Sequence, residues 1–373
     1  MSEPASGRPL RGALIGYGFI AENGHGPAYL DREDGTGDLE LVAVVDTCEA
    51  RRDVARRRLP HTRVYPDHVS LLSDPTIELD FVDIAVPPCD HERIAHAALA
   101  RGLHVLCEKP LATSPRAARA MLDHAARARR VIFPCHNYKH APVIKAVDAA
   151  LRADRIGTVH LVTLDTMRTT HAKGVAEWRP NWRRELAYAG GGIAMDHGSH
   201  TFYLTFDWMG SYPSAITAKT SSLGAFDTED NFSCTITFPT GIARASLSWT
   251  SGVRKIIYTL HGDRGAIRVE DDDVEVATLL TPPGVTPARW NVERSSVASD
   301  WMDASHVHWF GSLLGQFRAA IDSDDFVGRE ARQALRSVQL IAKAYASAKN
   351  DCREVRLSSE PASERPGVAR LAG

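Results

Sequence analysis

The chain has 373 residues, which at about 150 residues per domain gives room for two domains and makes a single small module a poor fit. With 44% apolar and 24% charged residues it falls in the globular range, which excludes a disordered or fibrous chain. Lysine and arginine number 44 against 46 acidic residues, so no global positive field is available to hold a phosphate backbone, and no nucleic-acid partner is expected.

Residues 1–10 read as a flexible N-terminus. Their MSEPASGRPL lacks the apolar core of a secretory signal, and no run approaches about 18 apolar residues, so a soluble cytoplasmic protein without a membrane partner is expected. From Arg11 to about Cys135 the apolar runs GALIGYG, LELVAVVD, FVDIAVP, HVLCEKP and VIFPC alternate with helical patterns such as HERIAHAALARG. Strand and helix in strict turn imply right-handed crossovers and a mostly parallel, doubly wound Rossmann sheet over residues 11–136, in the α/β class. Beyond it the spacing predicts a helix near Val143 to Arg152, an edge-like strand near Thr158 to Met167, a long polar loop, and a Gly-rich segment opening another helix. Alternating strands from Ala215 to about Val276, broken by FPTG and HGDRG, predict a large open, mostly antiparallel sheet. Helices near Val307 to Ile321 and Arg329 to Ala348 complete a C-terminal α/β domain of residues 137–355. Residues 356–373, rich in Pro, Ser and Glu, read as a mobile tail. Six cysteines without a C-x-x-C pair read as reduced structural thiols.

The first strand runs into Gly16-Tyr17-Gly18-Phe19-Ile20-Ala21, a G-x-G-x-x-A between strand and helix. Gly16 permits the tight turn, Gly18 clears room for a pyrophosphate, and Ala21 lets helix and strand pack closely, with the helix N-terminus facing the phosphates. Asp46 ends the second strand 25 residues beyond Ala21, where a carboxylate accepts hydrogen bonds from an adenosine ribose diol and repels a 2′-phosphate. NAD is therefore the expected cofactor. NADP is the alternative if Arg51 and Arg52 neutralise that repulsion; otherwise they are solvated helix arginines. Further segments lie at the carboxyl edge where such sheets bind ligands: Pro87 and Pro88 with His91 opening the next helix, and the charged turn Glu108-Lys109-Pro110.

Together with Trp182-Arg183 and Gly190-Gly191-Gly192-Ile193-Ala194-Met195-Asp196-His197-Gly198-Ser199-His200, these motifs resemble those of the Gfo/Idh/MocA family, which contains glucose-fructose oxidoreductase and inositol dehydrogenase. The resemblance covers roughly Arg11 to Ala348. It implies a Rossmann domain followed by an α/β domain for substrate binding and oligomerisation, whose open sheet supports homodimers or homotetramers. It also implies that Lys109, Asp196 and His200 face nicotinamide and substrate, that His197 is a neighbour of the base, and that Asn137 stands near the nicotinamide. The chemistry agrees: removing a hydride from a secondary alcohol needs a base, for which His200 fits, and a cation for the developing alkoxide, for which Lys109 fits. Asp196, four residues before His200, shares its helix face and is expected to pair with it.

Asp196, His197 and His200, or His136 and His140, have ligand-like spacing, but no third-ligand pattern accompanies either set and no metal is expected. The expected reaction is hydride transfer between a nicotinamide cofactor and a secondary alcohol or ketone. A redox-neutral sugar-modifying enzyme and a non-catalytic dinucleotide sensor are the alternatives. The segment Met167 to Tyr188 carries Arg168, His171, Lys173, Trp178, Trp182, Arg183 and Arg184, a mixture of flat apolar faces and donors. Such a wall suits a polyhydroxylated ring, a sugar, amino sugar or cyclitol, including one with an anionic group; the alternative places the tryptophans in the core or a subunit contact.

Overall fold

A computed structural model describes residues 8–281, 285–297 and 306–358. Six strands, Leu10–Ile15 (β1), Leu39–Val45 (β2), Arg63–Tyr65 (β3), Phe81–Ile84 (β4), His104–Cys107 (β5) and Ile132–Pro134 (β6), pair in parallel in the order β3-β2-β1-β4-β5-β6. Helices cover both faces, which is why β2 and β5 read as near-continuous apolar runs. The strand order reverses beside β1, and a crevice opens there outside the carboxyl ends of β1 and β4.

The second sheet has nine strands: Val159–Met167 (β7), Ala215–Ser221 (β8), Asn231–Phe238 (β9), Gly241–Ser248 (β10), Lys255–Gly262 (β11), Gly265–Glu270 (β12), Asp273–Leu279 (β13), Trp290–Ser296 (β14) and Val355–Arg356 (β15). Their order is β14-β13-β12-β11-β7-β10-β9-β8-β15, antiparallel throughout except for β7 against β10. The expected edge strand β7 is thus the central one. Its polar residues, Thr163 and Asp165, misled because they lie on the sheet's outward row, while Val162 and Leu164 enter the core beneath the helices Pro142–Arg152, Ile193–Met209 and Arg329–Lys349.

At both ends order extends further than the composition suggested. Arg8 ion-pairs with Asp80 at 2.6 Å, and β15 pairs with β8 as Leu357 N donates to the Ser214 carbonyl at 2.8 Å. The remainder of the expected flexible N-terminus and tail, residues 1–7 and 359–373, lies outside the described residues.

Core membership also departs from chain order. The helix Val307–Asp322 places Phe310, Leu313, Leu314 and Phe317 in one core with Leu14 and Phe81 of the first sheet and Tyr29 of the helix Gly26–Gly35. The helix Arg329–Lys349 gives Ala331, Leu335 and Val338 to the Rossmann core and Leu340, Ile341 and Ala344 to the second. Two helices read as parts of the C-terminal domain therefore pack on opposite faces of the first sheet.

Candidate functional site

A cavity of about 580 Å³ fills the crevice, running from Asp46 past the glycine turn and Lys109 to Arg168, His200 and Trp249. Gly16 has φ 94°, and a Cβ there would stand 2.8 Å from the Ala85 carbonyl oxygen, so the turn demands glycine. Beside Gly18, which lines the cavity, a Cβ would meet no protein atom within 4 Å, leaving open room at the helix start. That helix begins as a π-turn, Ala21–His25, before the α-helix Gly26–Gly35, in a stretch where Gly24, Gly26 and Pro27 all weaken α propensity. Ala21 is fully buried against the core, as its packing role requires.

Asp46 lines the cavity, its Oδ2 accepting from Tyr17 N and its Oδ1 from Cys48 N, both at 2.7 Å. Each oxygen keeps a second lone pair for a ribose hydroxyl. With Phe19, Ile20 and Pro87 on the same wall, these residues fit a dinucleotide: pyrophosphate over Gly16 to Ile20, ribose diol at Asp46. Arg51 is only 4% exposed; its Nε donates to the Tyr17 carbonyl at 2.8 Å and its guanidinium pairs with Glu22 at 2.5 Å and Glu177 at 3.4 Å. Arg52 donates to the Asp46 and Thr47 carbonyls. Arg51 is therefore neither solvated nor free for a 2′-phosphate.

Two expected cofactor contacts turn inward. His91 does not line the cavity: its ring nitrogens face the Pro110 carbonyl at 3.0 Å and the Val86 carbonyl at 2.9 Å, fixing one turn to the other. Glu108 borders the cavity, but its carboxylate accepts from Lys109 N at 3.0 Å and lies 3.1 Å from His25 Nε2. His25 Nδ1 lies 2.6 Å from Asp83, itself an acceptor from Tyr29 OH, so a fully buried imidazole stands between two carboxylates. Burial works to lower its pKa, yet Asp83 and Glu108 outweigh burial and push it up to about 10. His25, Asp83 and Cys135 are also close enough to form a metal-ligand set, a different group from the two considered in the sequence. Asn137, 7% exposed, borders the cavity.

Histidines whose pKa the fold displaces set a pH window for stability. His104 and His140 are held down to about 4, by burial first and then by Arg130 and Lys145 respectively. Below pH about 6.5 the unfolded chain binds protons there that the native chain does not, so stability should fall as pH drops from about 6.5 toward 4. His25 acts oppositely: its contribution, complete below about 6.5, should be lost as pH rises toward about 10. Thermal melts across this range should decline on both sides, and His25→Gln should flatten the alkaline decline; an unchanged alkaline arm in that variant would contradict the buried cation.

Lys109 and the helix Ile193–Met209 meet across the crevice. Lys109 Nζ donates to Asp196 Oδ1 at 2.8 Å and to the Asp196 carbonyl at 3.0 Å. Arg183 Nε lies 3.6 Å and His197 Nδ1 3.2 Å from the same carboxylate. Burial would raise the Asp196 pKa, but Lys109, Arg183 and His197 outweigh it and hold it well below the usual carboxylate range. The expected Asp196–His200 pair is not what forms. Asp196 is taken by Lys109, a full charge arriving from the other domain, and His200 Nδ1 instead lies 2.7 Å from Tyr203 OH. Tyr138 stacks on the His200 ring at 3.8 Å between centroids. Burial, then Lys109 and His197, push His200 well below its ordinary pKa, so the imidazole is neutral. Tyr203, three residues after His200 and so on the same helix face, was within reach of a sequence reading; Tyr138 was not.

The far wall carries Arg168, His171, Lys173, Trp178, Trp182 and Arg183, joined by Trp249, Arg254 and His306, which the sequence did not single out. Arg183 stacks its guanidinium over Trp182 at 4.3 Å. Arg184 leaves the wall: it pairs with Asp230 and sits over the Trp249 ring at 4.7 Å.

The profile of the Gfo/Idh/MocA oxidoreductase family's NAD-binding Rossmann fold matches residues 10–136, and that of its C-terminal alpha/beta domain matches residues 149–357. The chain is 30% identical over 200 residues to D-glucoside 3-dehydrogenase of Escherichia coli K12, covering 54% of each chain. It is 36% identical over 149 residues to D-apiose dehydrogenase of Paraburkholderia graminis, covering 40% of this chain and 38% of that one. The matches thus span about half or less of these curated relatives. Among solved structures, GenD2 from gentamicin A biosynthesis in complex with NAD superposes with TM-score 0.76 at 25% identity, covering 96% of this chain and all of that one. Levoglucosan dehydrogenase with NADH shares the fold, with TM-score 0.80 at 20% identity and coverage of 94% and 100%.

Proposed function

The chain belongs to the Gfo/Idh/MocA oxidoreductase family, and from that premise we propose that it transfers a hydride between NAD and a secondary alcohol or ketone of a sugar, amino sugar or cyclitol. The observation that carries this reading is the meeting of Lys109, Asp196 and neutral His200 on one cavity wall beside an open glycine turn that fits a dinucleotide. NAD, when bound, supplies the hydride acceptor. Lys109, held by Asp196, donates to the substrate oxygen and stabilises the charge that grows there. His200, with Nδ1 held by Tyr203 and its ring by Tyr138, accepts the hydroxyl proton at Nε2 and returns it in the reverse direction. Incubating the protein with NAD and a panel of sugars, amino sugars and cyclitols should yield reduced cofactor with at least one of them. Absence of reduction with every member, in a protein that binds NAD, would count against the reading.

NAD is favoured over NADP because Asp46 occupies the ribose position and Arg51 is bound to Glu22 and Glu177. Calorimetric titration should show NAD binding at least about tenfold more tightly. The reverse order would mean that Arg51 leaves its carboxylates for a phosphate. Self-association through the nine-stranded sheet is also inferred, since its outward row, including Thr163, Asp165 and Arg244, lies outside the core clusters. Light scattering should then give a dimer or tetramer. No helix among the described residues is long and apolar enough to cross a membrane.

A further inference from the structure

The two ends of the cavity differ in charge. At the adenosine end Asp46, Asp67 and Asp90 line it with Arg51 and Arg93. At the substrate end Asp196 is the carboxylate facing the cavity among the described lining residues, since Glu108 is turned to His25. Against it stand Lys109, Arg168, Arg183 and Arg254. Lys109 and Arg183 already share Asp196, at 2.8 and 3.6 Å. Arg168 follows the last residue of β7 and Arg254 precedes the first of β11, and Met167 and Lys255 are register partners in that antiparallel pair. Two guanidinium groups thus leave adjacent strands at the same end, where like charges opposite one another repel. The Arg254 pKa is lowered by burial first and by Arg168 second, and that of His197 is lowered by burial first, with Arg168 adding to it. Arg168 donates to the carbonyl of its own neighbour Met167 at 3.0 Å, which leaves most of its five-donor fork unused by that bond.

We propose that this end of the cavity takes an acidic sugar, a polyhydroxylated ring bearing a carboxylate or phosphate that docks on Arg168 beside Arg254 while a ring hydroxyl faces Lys109 and His200. The inference rests on the sugar-dehydrogenase reading and names its substrate class. A planar fork such as that of Arg168 matches an oxyanion in bidentate fashion. Remote binding of this kind also fixes which ring hydroxyl meets the base.

The test uses the full chain with NAD and measures binding by calorimetry, which does not depend on turnover. Matched sets are glucose, glucuronate and glucose 6-phosphate, galactose and galacturonate, and N-acetylglucosamine with its uronic acid. At least one acidic member should bind tenfold or more tightly than its neutral parent, with the advantage shrinking as salt is raised. Comparison of uronate with phosphate ester identifies the anion. Arg168→Gln should collapse the ratio of acidic to neutral affinity, and Arg168→Lys, which keeps the charge but loses the fork, should retain only part of it. Thermal melts with NAD check that both variants fold. Neutral parents binding as tightly as their acids in every set, no binding by any acidic member at millimolar concentration, or an undiminished acidic preference in folded Arg168→Gln would each overturn the proposal. Tight acidic binding without cofactor reduction would leave it standing and remove the dehydrogenase reading instead.

Discussion

Lys109→Met is expected to lower kcat by about a thousandfold, within the range for loss of a group that acts on charge developing in the transition state. It is also expected to lower the melting temperature, because Lys109 lies 2.8 Å from the half-buried Asp196 and its removal leaves that carboxylate with the more distant Arg183 and His197. The two effects can be separated. In Lys109→Met/Asp196→Asn both members of the pair lose their charge, so much of the melting temperature should return while turnover stays low. NAD affinity should change little in either variant, since the residues that fit the pyrophosphate and adenosine lie at the glycine turn and Asp46. Near-normal kcat in folded Lys109→Met would demote the lysine to a strut for Asp196. Lys109→Arg should also fail, because a planar guanidinium cannot reproduce a compact ammonium between Asp196 and a substrate oxygen.

His200→Ala is expected to cost about a hundredfold or more in turnover and to remove the acid limb from the pH profile of oxidation. The sign follows from the depressed pKa. Burial, Lys109 and His197 keep the imidazole neutral, hence basic and ready, across neutral pH. The kcat/KM for oxidation should therefore be flat near neutrality and fall only when pH drops well below 6.5, the ordinary histidine value. That limb belongs to the coupled set of Asp196, His197, His200 and Lys109, so its midpoint is a property of the cluster. Tyr203→Phe keeps the aromatic packing and removes the hydroxyl at Nδ1; it should give a smaller loss and displace the limb. A limb that persists unchanged in His200→Ala would place the base on another group.

The residues legible in the sequence were those whose geometry is local. A glycine turn between strand and helix, an aspartate at the next strand end, and charges after an apolar strand all sit at one sheet edge by topology alone, and Gly16, Gly18, Asp46 and Lys109 do line one cavity. What the sequence did not carry is the choice among partners that only tertiary structure brings close. Helical spacing makes His200 a neighbour of Asp196, but it is equally a neighbour of Tyr203, and Lys109 from the other domain decides between them. Asp83 in the apolar run FVDIAV was a visible anomaly, a carboxylate in a buried parallel strand; its partner His25 lies 58 residues away on a different element. Arg51 could not be placed without Glu177, which reaches it from the loop of the second domain. The polar alternation of β7 marked an outward row, and without its pairing partners an open face and an edge look alike.

The most direct test of hydride transfer follows a deuterium label. Sugars and cyclitols carrying deuterium on their ring carbinol carbons are incubated with NAD and the full chain, and the reduced cofactor and sugar products are analysed by mass spectrometry. The expected result is a ketone formed together with an equal amount of reduced cofactor bearing one deuterium, with neither product appearing in Lys109→Met. Consumption of the sugar with no net reduced cofactor and the label retained in the sugar product would contradict dehydrogenation and identify a redox-neutral reaction at the same wall.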